Sequence, residues 1–436
     1  MKRTPITAKP IRILMLLENS SFPEDSRVLL QARTLKHAGY QVTVICPTEP
    51  GSTKKIDCVE GIPVYRYPAP PELGGLLGYA LEYGYSIAMQ WMISVYLFIR
   101  HGFDTIHMHT PPDMIAVIPA FFQCYGKKFI YDLHDLSPEL YSAQRSGRGN
   151  RLVKWLLRRF ESFASRRANL SIATNQSQRD IQVRRCGVSA KKFYVVRNGP
   201  NQAFLVEQVP PRAELVCPNM VTLGYVGVMG VQDGVDYLIH AMDVLVHQRK
   251  RTNVRAVLVG NGAALPELKQ LTASLNLEEH VIFTGRVPFS DVPGYIAAFD
   301  ICCTPDPCNA YNDSCTTIKT MEYMALGKPV VCFETTENMK TAGDAALYAC
   351  DNDPALYAIA LERLIDDRDL RNRLGSVGRQ KVIKELAWEH QAKRLLLAYQ
   401  HLHSSSDPIQ NESSPQGQTD HGQYYLLYYY NLKKKN

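Results

Sequence analysis

The sequence has no Cys-x-x-Cys pair and no large excess of charge of either sign. The eleven cysteines are an odd number, and Cys302 and Cys303 are adjacent, which suits neither a shared metal ion nor a simple disulfide. We therefore expect reduced thiols and a cytoplasmic protein. The apolar run from Ile13 to Leu17 is too short for a secretory signal and meets Glu18, so it predicts a first β-strand.

The 49 lysines and arginines against 42 aspartates and glutamates leave a net charge of +7 over 436 residues. This excess is too small to favour nucleic acid as a partner, and we expect none. It is compatible with an anionic ligand or with a basic face near anionic lipid. Residues 76–99 carry one formal charge and are long enough to cross a bilayer, yet polar residues interrupt them and strands of one predicted sheet flank them. Helices packed in the domain are therefore preferred, with a membrane span or a surface-bound amphipathic patch as alternatives.

Short apolar runs alternate with amphipathic stretches along most of the chain. A strand at Ile11–Leu17, a helix beginning near Ser26 and a strand at Gln41–Cys46 predict a parallel sheet with right-handed crossovers. A proline-rich stretch from Gly199 to Asn219 interrupts the alternation, which restarts at Val221. The predicted fold class is therefore α/β, with two doubly wound Rossmann-like domains facing each other across a cleft. The predicted segments are a flexible start at 1–10, an N-terminal acceptor domain at 11–200, a linker at 201–219, a C-terminal donor domain at 220–385, a helix packing back toward the N-terminal domain at 386–403 and a disordered tail at 404–436.

In doubly wound sheets, ligands bind outside the carboxyl ends of the strands. One such loop precedes a helix predicted at Ile318–Ala325, with hydroxyls at the start of the helix and a lysine in its first turn. Free backbone N–H groups, hydroxyls and a cation suit a diphosphate, and Glu322 is placed to reach ribose hydroxyls. Ordinary helix capping with a solvated lysine and glutamate is the alternative. The candidate residues in this segment are Asp313, Ser314, Thr316, Thr317, Lys319 and Glu322.

His134 follows a strand predicted at Lys128–Leu133 and should face the cleft, although a lone histidine is more often structural than catalytic. His107 and His109 share one face of another strand, but no third metal ligand is evident at a suitable spacing, so no metal site is expected. The other polar residues of these loops either contact the acceptor or form polar packing contacts and surface ion pairs within the protein. The acceptor-binding candidates are Asn19, Arg27, His109 and Asp113.

The string NDSCTTIKTMEYMALGKPVV, Asn312–Val331, resembles the donor-binding motif of the family-4 retaining glycosyltransferases of GT-B type, especially bacterial members that build surface polysaccharides. The family pattern has two glutamates separated by seven residues. Glu322 matches the second, while Ser314 stands at the place of the first with Asp313 beside it. The resemblance covers roughly residues 11–400 and implies that Asp313 and Ser314 contact donor-sugar hydroxyls.

The string GYVGVMGVQDGV, Gly224–Val235, matches the loop after the first strand of the second domain. Many family members have an arginine and a lysine there, which neutralise the diphosphate, whereas this chain has Val228 and Asp233. Compensating charge is then expected from other cations, and glycines let the backbone approach phosphate, with a plain glycine turn as the alternative. The donor-binding candidates added here are Gly227, Gly230 and Arg286.

The resemblance implies transfer, with retention, of a hexose or N-acetylhexosamine from a UDP- or GDP-linked donor to a saccharide or polyprenyl-diphosphate-linked acceptor, in exopolysaccharide, capsule or O-antigen synthesis. His134 matches the family's N-domain histidine, so His134 and Glu322 are the catalytic candidates. No Asp-x-Asp motif lies in a suitable loop, so we expect no metal and no cofactor besides the nucleotide sugar. A basic helix predicted at Arg151–Arg167 is either a solvated face or a docking surface for the anionic inner face of the cell membrane. The rival functions are a nucleotide-sugar epimerase of the same architecture and a membrane-docked scaffold with a degenerate donor site.

Overall fold

The computed structural model describes residues 9–49, 54–70 and 75–404. The described residues from 9 to 402 form one compact unit. The predicted disordered tail from residue 405 onward, and residues 1–8 of the predicted flexible start, lie outside the described residues.

An eight-stranded sheet forms the first half of the compact unit. Its strands are β1 (Arg12–Leu16), β2 (Gln41–Pro47), β3 (Ile56–Val59), β4 (Ile62–Tyr67), β5 (Thr105–Thr110), β6 (Lys128–Leu133), β7 (Leu170–Ala173) and β8 (Phe193–Val195). Their order is β3-β4-β2-β1-β5-β6-β7-β8, and every pair is parallel except β3 with β4. The helices of this half are α1 (Ser26–His37), α2 (Gly75–Arg100), α3 (Val117–Phe122), α4 (Ser137–Ala143), α5 (Arg151–Arg167) and α6 (Gln176–Cys186).

A six-stranded parallel sheet forms the second half. Its strands are β9 (Val221–Val226), β10 (Val254–Val259), β11 (Val281–Gly285), β12 (Ile301–Thr304), β13 (Val330–Phe333) and β14 (Ala346–Ala349), in the order β11-β10-β9-β12-β13-β14. The remaining helices are α7 (Gln202–Leu205), α8 (Val235–Asp243), α9 (Leu265–Ser274), α10 (Val292–Ala298), α11 (Ile318–Ala325), α12 (Thr336–Ala342), α13 (Pro354–Asp366), α14 (Arg368–Lys381) and α15 (Trp388–His403).

Both sheets are covered by helices on their two faces, which explains why their central strands read as continuous apolar runs. Each sheet has two apolar clusters, one on each face. The last helix joins a cluster of the first sheet through Leu395 and Tyr399, and the Trp388 indole donates to the Thr34 hydroxyl at 2.9 Å. The predicted fold class, two doubly wound α/β domains, is confirmed.

The helix predicted to begin near Ser26 is α1, and its cap is the Asp25 carboxylate, which accepts from the Val28 amide at 3.0 Å. One local element differs from the sequence expectations. The antiparallel β3–β4 hairpin is not predicted from the sequence, because β3 has only four residues, lies at the sheet edge and has partly exposed side chains.

Residues 76–99 belong to α2, which packs against the first sheet through Leu97 and Gln90. The preferred interpretation of this segment, helical structure packed in the domain, is confirmed. The Gln90 amide donates to the Leu17 carbonyl at 3.2 Å and to the Tyr67 hydroxyl at 3.1 Å. Within residues 9–49, 54–70 and 75–404, no helix combines the length and the apolar character that a membrane span requires.

Candidate functional site

The loop before α11, residues 305–317, is bound by side chains that follow strands of the first sheet. The Tyr311 hydroxyl donates to the Asp135 carboxylate, just after β6, at 3.0 Å. The Asn175 side-chain amide, just after β7, donates to the Thr316 hydroxyl at 2.9 Å. Because the carboxyl ends of parallel strands lie at one edge of each sheet, these bonds place the ligand-binding edges of the two sheets face to face.

His134 is the first residue after β6, and its ring is 11% exposed. Its Nε2 lies 3.2 Å from Nδ1 of His109 and 3.4 Å from Oδ2 of Asp132. Its backbone carbonyl accepts a hydrogen bond from the Gln178 side chain at 2.9 Å. The ring and the backbone of His134 are therefore both held in place at the edge where the two sheets meet.

Asp132 is fully buried and is the centre of this cluster. It accepts from Arg27 at 2.9 Å and from Gln31 at 2.7 Å. Although burial by itself raises the pKa of Asp132, the charge of Arg27 and the neighbouring imidazoles hold that pKa well below its usual value. Burial lowers the pKa of His107 and of His109, so both imidazoles are neutral at physiological pH.

The structure supplies a third potential metal ligand that the sequence did not reveal. Ligand atoms of His107, His109 and Asp132 lie within 4.8 Å of one another, because the register of β5 and β6 pairs His109 with Asp132. However, the Arg27 guanidinium already neutralises this carboxylate, so the cluster has no net negative charge to attract a divalent cation.

The four acceptor-binding candidates are placed differently from one another. Asn19 is exposed in the loop after β1. Arg27 is buried and also donates to the Val196 carbonyl at 2.9 Å, so it pairs with neither Glu24 nor Asp25. His109 has no exposed surface. Asp113 is buried and accepts from the Tyr131 hydroxyl at 2.6 Å, so apart from Asn19 these side chains are closed to an acceptor in this conformation.

Lys319 lies in the first turn of α11, as expected, but protein carboxylates surround its ammonium group. Its Nζ lies 2.8 Å from Asp306 and 3.3 Å from Asp233, and 4.9 Å from the centre of the Tyr225 ring. Burial raises the pKa of Asp306 to about 6, while the two carboxylates raise the pKa of Lys319 well above its usual value despite burial. A diphosphate at this helix end must therefore compete with Asp233 for the lysine.

The hydroxyl residues before α11 order the loop that contains them. Ser314 donates to the Tyr311 carbonyl at 2.9 Å, and Thr316 donates to Glu337 at 3.2 Å. Asp313 accepts from the Thr336 amide at 3.2 Å, where α12 begins. The hydroxyls of Thr317 and Thr320 lie 3.0 Å apart, and Thr317, the residue before α11, makes no side-chain cap to that helix. The first amides of α11 are thus not capped by the side chain of Thr317.

The glycine loop after β9 packs directly on the loop after β10. A Cβ on Gly260 would lie 1.9 Å from the Gly227 carbonyl oxygen, so two backbones meet where no side chain fits. The Gly230 amide donates to the Asp233 carboxylate at 3.1 Å. Arg286, the other candidate cation, forms an exposed 2.6 Å ion pair with Glu24 of the first half.

Glu322 lies on α11 with 7% of its surface exposed. Its carboxylate has no hydrogen-bond or ion-pair partner within the part of the chain that the structure describes. Burial raises the pKa of Glu322 to about 8, so the side chain is mostly protonated at neutral pH. A buried carboxyl group without a protein partner at the edge of a doubly wound sheet is suited to accept hydrogen bonds from a ligand.

Sequence reasoning missed Asp132, Asn175, Asp306 and Glu337. Two of them carried a usable signal: Asp132 lies near the end of the strand that His134 follows, and Asn175 lies two residues after β7. Asp306 and Glu337 become recognisable only when the tertiary contacts of Lys319 and Thr316 are known.

Two parallel-sheet α/β domains joined in this way are the architecture of the GT-B glycosyltransferases. Residues 26–203 match the family model "Glycosyltransferase Family 4", and residues 221–367 match the model "Glycosyl transferases group 1". Together the two matches span most of the chain, which belongs to the family-4 glycosyltransferases.

Two similar proteins are themselves named as sugar transferases. The chain is 28% identical over 195 residues to a D-inositol 3-phosphate glycosyltransferase of Corynebacterium efficiens, covering 43% of this chain and 45% of that protein. It is 27% identical over 172 residues to a GDP-mannose-dependent phosphatidylinositol monomannoside mannosyltransferase of Mycobacterium tuberculosis, covering 37% and 43%. The chain thus spans less than half the length of these relatives.

Two solved structures share the fold over nearly the whole length. Sucrose-phosphate synthase from Thermosynechococcus elongatus superposes with a TM-score of 0.75 at 18% identity, covering 91% of this chain and 100% of the other. Anabaena HepE in complex with UDP and glucose superposes with a TM-score of 0.67 at 20% identity, covering 89% and 99%. At these identities the likeness establishes the fold alone.

Proposed function

We propose that this protein is a retaining glycosyltransferase that moves a hexose or N-acetylhexosamine from a UDP- or GDP-linked donor to a saccharide or lipid-linked acceptor. The proposal rests on one observation. Where the edges of the two sheets meet, the uncapped amides at the start of α11 lie on one side and His134 lies on the other. Solved HepE, which shares the fold, holds UDP and glucose, and the mycobacterial relative is named for a GDP-mannose donor.

The donor diphosphate binds at the start of α11 in this proposal. The amides of Ile318 and Lys319 and the helix dipole stabilise its negative charge. The Lys319 ammonium turns from Asp233 toward the phosphate, and Arg286 exchanges its exposed partner Glu24 for the same anion. Glu322 accepts hydrogen bonds from the ribose hydroxyls, which explains a buried carboxyl group with no protein partner.

The reaction proceeds by attack of the acceptor hydroxyl on the face from which the diphosphate departs. The bond between the anomeric carbon and the diphosphate oxygen breaks, the acceptor oxygen bonds to that carbon, and the acceptor proton passes to the departing phosphate oxygen. The His134 ring and carbonyl stabilise the positive charge that develops on the sugar. No metal ion takes part, because fixed amides and Lys319 provide the positive potential.

A surface-polysaccharide role would bring the enzyme to lipid-linked acceptors at the inner membrane face, and α5 offers a docking surface for this. Leu152, Trp155 and Leu156 are 61%, 52% and 40% exposed. Arg158 and Arg159 are exposed beside them, and Arg159 lies 5.3 Å from the centre of the Trp155 ring. Exposed apolar side chains among cations favour the interface of an anionic bilayer. Sedimentation with phosphatidylglycerol vesicles tests this, since Trp155→Ala should lower the bound fraction and neutral vesicles should bind neither form.

Thermal shift with a panel of UDP- and GDP-sugars tests the donor proposal, followed by product analysis with lipid-diphosphate acceptors. A bound donor at 100 times its Kd should stabilise the protein by about 2.7 kcal/mol. Conversion of a donor to its epimer without an acceptor would instead support the epimerase. The absence of stabilisation by every donor would support the scaffold and refute the transferase.

A further inference from the structure

Helix α2 exposes a continuous apolar face. The opposite face of the helix is buried toward the first sheet through Ser86, Gln90 and Leu97. At 3.6 residues per turn, six residues that point away from that sheet fall within a sector of about 80°. These residues, which we call the α2 stripe, are Leu81, Tyr85, Ala88, Met92, Tyr96 and Ile99. All six are exposed in the part of the chain that the structure describes.

Three exposed side chains on α3 and the turn after it extend this surface, namely Val117, Phe121 and Tyr125. The centre of the Phe121 ring lies 4.7 Å from that of Trp91 on α2, and the centre of the Tyr125 ring lies 5.5 Å from that of Phe98. Because these ring contacts hold α2 and α3 side by side, the α2 stripe and the three further side chains form one surface, which we call the α2–α3 patch.

The α2–α3 patch is large enough for the interface of a stable dimer. Its eight large side chains are on average about half exposed, and a large side chain has roughly 200 Å² of surface, so the patch offers about 800 Å². The largest apolar patch on a typical monomer is about 300–600 Å². A standard protein interface buries about 800 Å² on each partner, and interfaces of that size have micromolar or tighter affinity.

The composition of the patch favours a protein partner over a bilayer. Residues 80–99 contain no lysine or arginine, and Glu82 is their only charged residue. A helix that lies on an anionic bilayer has cations along its polar border, as α5 has. Aromatic and methionine side chains with few charges are instead typical of the buried centre of protein interfaces. The α2–α3 patch therefore differs in chemistry from the exposed face of α5.

The α2 stripe is complementary to a second copy of itself. If two copies of α2 pack antiparallel about a two-fold axis near residue 90, Leu81 of each copy faces Ile99 of the other. The two tyrosines of the stripe then face each other across the interface, and the small side chain of Ala88 leaves room for Met92. A surface that matches itself in this way is what a two-fold symmetric dimer requires.

Charges beside the stripe favour the same antiparallel arrangement. Glu82 and Arg100 lie on one flank of α2, because they are about five helical turns apart. In the antiparallel pair, Glu82 of each copy lies beside Arg100 of the other. In a parallel pair, the corresponding flanks lie on opposite sides of the interface, so these charges do not meet. Complementary charges at the border of an interface select its orientation.

We propose that the α2–α3 patch is the interface of a homodimer, in which the α2 helices of two copies pack antiparallel about a two-fold axis near residue 90. Each copy contributes the same surface, so the assembly closes at two copies. The dimer leaves α5 and the edges where the two sheets meet outside the contact between the α2 helices. The proposal does not depend on the transferase function.

Sedimentation of the full chain over a concentration series tests the dimer. Met92→Glu should weaken dimerisation at least about 100-fold, because it buries an unpaired charge near the axis in both copies. Leu397→Glu on α15 is the matched control, since Leu397 and Met92 are both 57% exposed, and it should leave dimerisation unchanged. A wild type that stays monomeric up to about 100 µM, or equal dimerisation of the two variants, would overturn the proposal.

An exchange of charges tests the antiparallel arrangement. Leu81→Lys and Ile99→Glu should each weaken dimerisation about 10-fold, and both changes in one chain should restore at least about threefold of that loss. The recovery is expected only between copies, because the two positions are about 27 Å apart along one helix. Additive losses in the double variant would refute the antiparallel pairing. The thermal midpoint of each variant shows that it is folded.

The alternative occupants of the patch give different results. If the wild type is monomeric and Met92→Glu lowers its sedimentation with phosphatidylglycerol vesicles, a bilayer covers the patch. If the wild type is monomeric and Met92→Glu makes residues 405–436 more sensitive to limited proteolysis, that segment of the same chain covers it. Either result overturns the homodimer.

Discussion

Replacement of Glu322 by glutamine tests how burial shapes the donor site. The pKa of Glu322 is about 8 in the folded protein and about 4.5 in the unfolded chain. Stability is therefore lost as the pH rises from 4.5 to 8, since the unfolded state ionises first. At 1.36 kcal/mol per pH unit, wild-type stability should fall relative to Glu322→Gln by about 3 kcal/mol between pH 5.5 and 8.

Urea denaturation at the two pH values measures this difference, and Glu278→Gln on the surface controls for the loss of one carboxylate. The same variant should bind UDP about 10-fold more weakly by calorimetry, because an NH₂ group, which cannot accept a hydrogen bond, replaces one of the two carboxyl oxygens that face the ribose hydroxyls. A stability difference between wild type and Glu322→Gln that stays constant with pH would show that the carboxyl group is not buried as described. Unchanged UDP affinity would remove it from the ribose site.

Three further changes probe the same site. His134→Ala should reduce kcat at least about 100-fold while leaving the thermal midpoint nearly unchanged, and near-normal turnover would exclude a catalytic role. Lys319→Met should lower the free energy of unfolding by about 3–5 kcal/mol in urea denaturation, because it leaves Asp306 buried and unpaired. Adding Asp306→Asn should recover part of that stability, and additive losses in the double variant would contradict the pairing. Asn175→Ala should cost about 1–3 kcal/mol by freeing the loop before α11, and an unaltered denaturation midpoint would show that this contact is unimportant. Turnover should persist in excess EDTA, and its abolition would contradict a metal-free mechanism.

The sequence pattern predicts the fold well because both sheets are parallel and covered on two faces. Buried strands then appear as short apolar runs, and the predicted bounds of β6, α5 and α11 coincide with the structure. The β3–β4 hairpin is not predicted in this way, since β3 lies at the sheet edge and its side chains are partly exposed.

The residues of the candidate site also fall into a predictable and an unpredictable group. Positions set by local chain direction, such as His134 after β6 and Lys319 in the first turn of α11, follow from the sequence. Partners set by tertiary packing do not: nothing in the local sequence reveals that Asp306 faces Lys319, or that Arg27 turns inward to Asp132 instead of outward to an acceptor. Polar residues of this kind have alternative partners at the surface, and only the packing of neighbouring elements selects one.

The most direct measurement is a crystal structure of the full chain with UDP or GDP bound. The pyrophosphate should lie within hydrogen-bonding distance of the Ile318 and Lys319 amides, with the terminal phosphate directed toward His134 and the ribose hydroxyls on Glu322. A nucleotide bound anywhere else, or a terminal phosphate directed away from the histidine, would contradict the placement of the donor on which this mechanism depends.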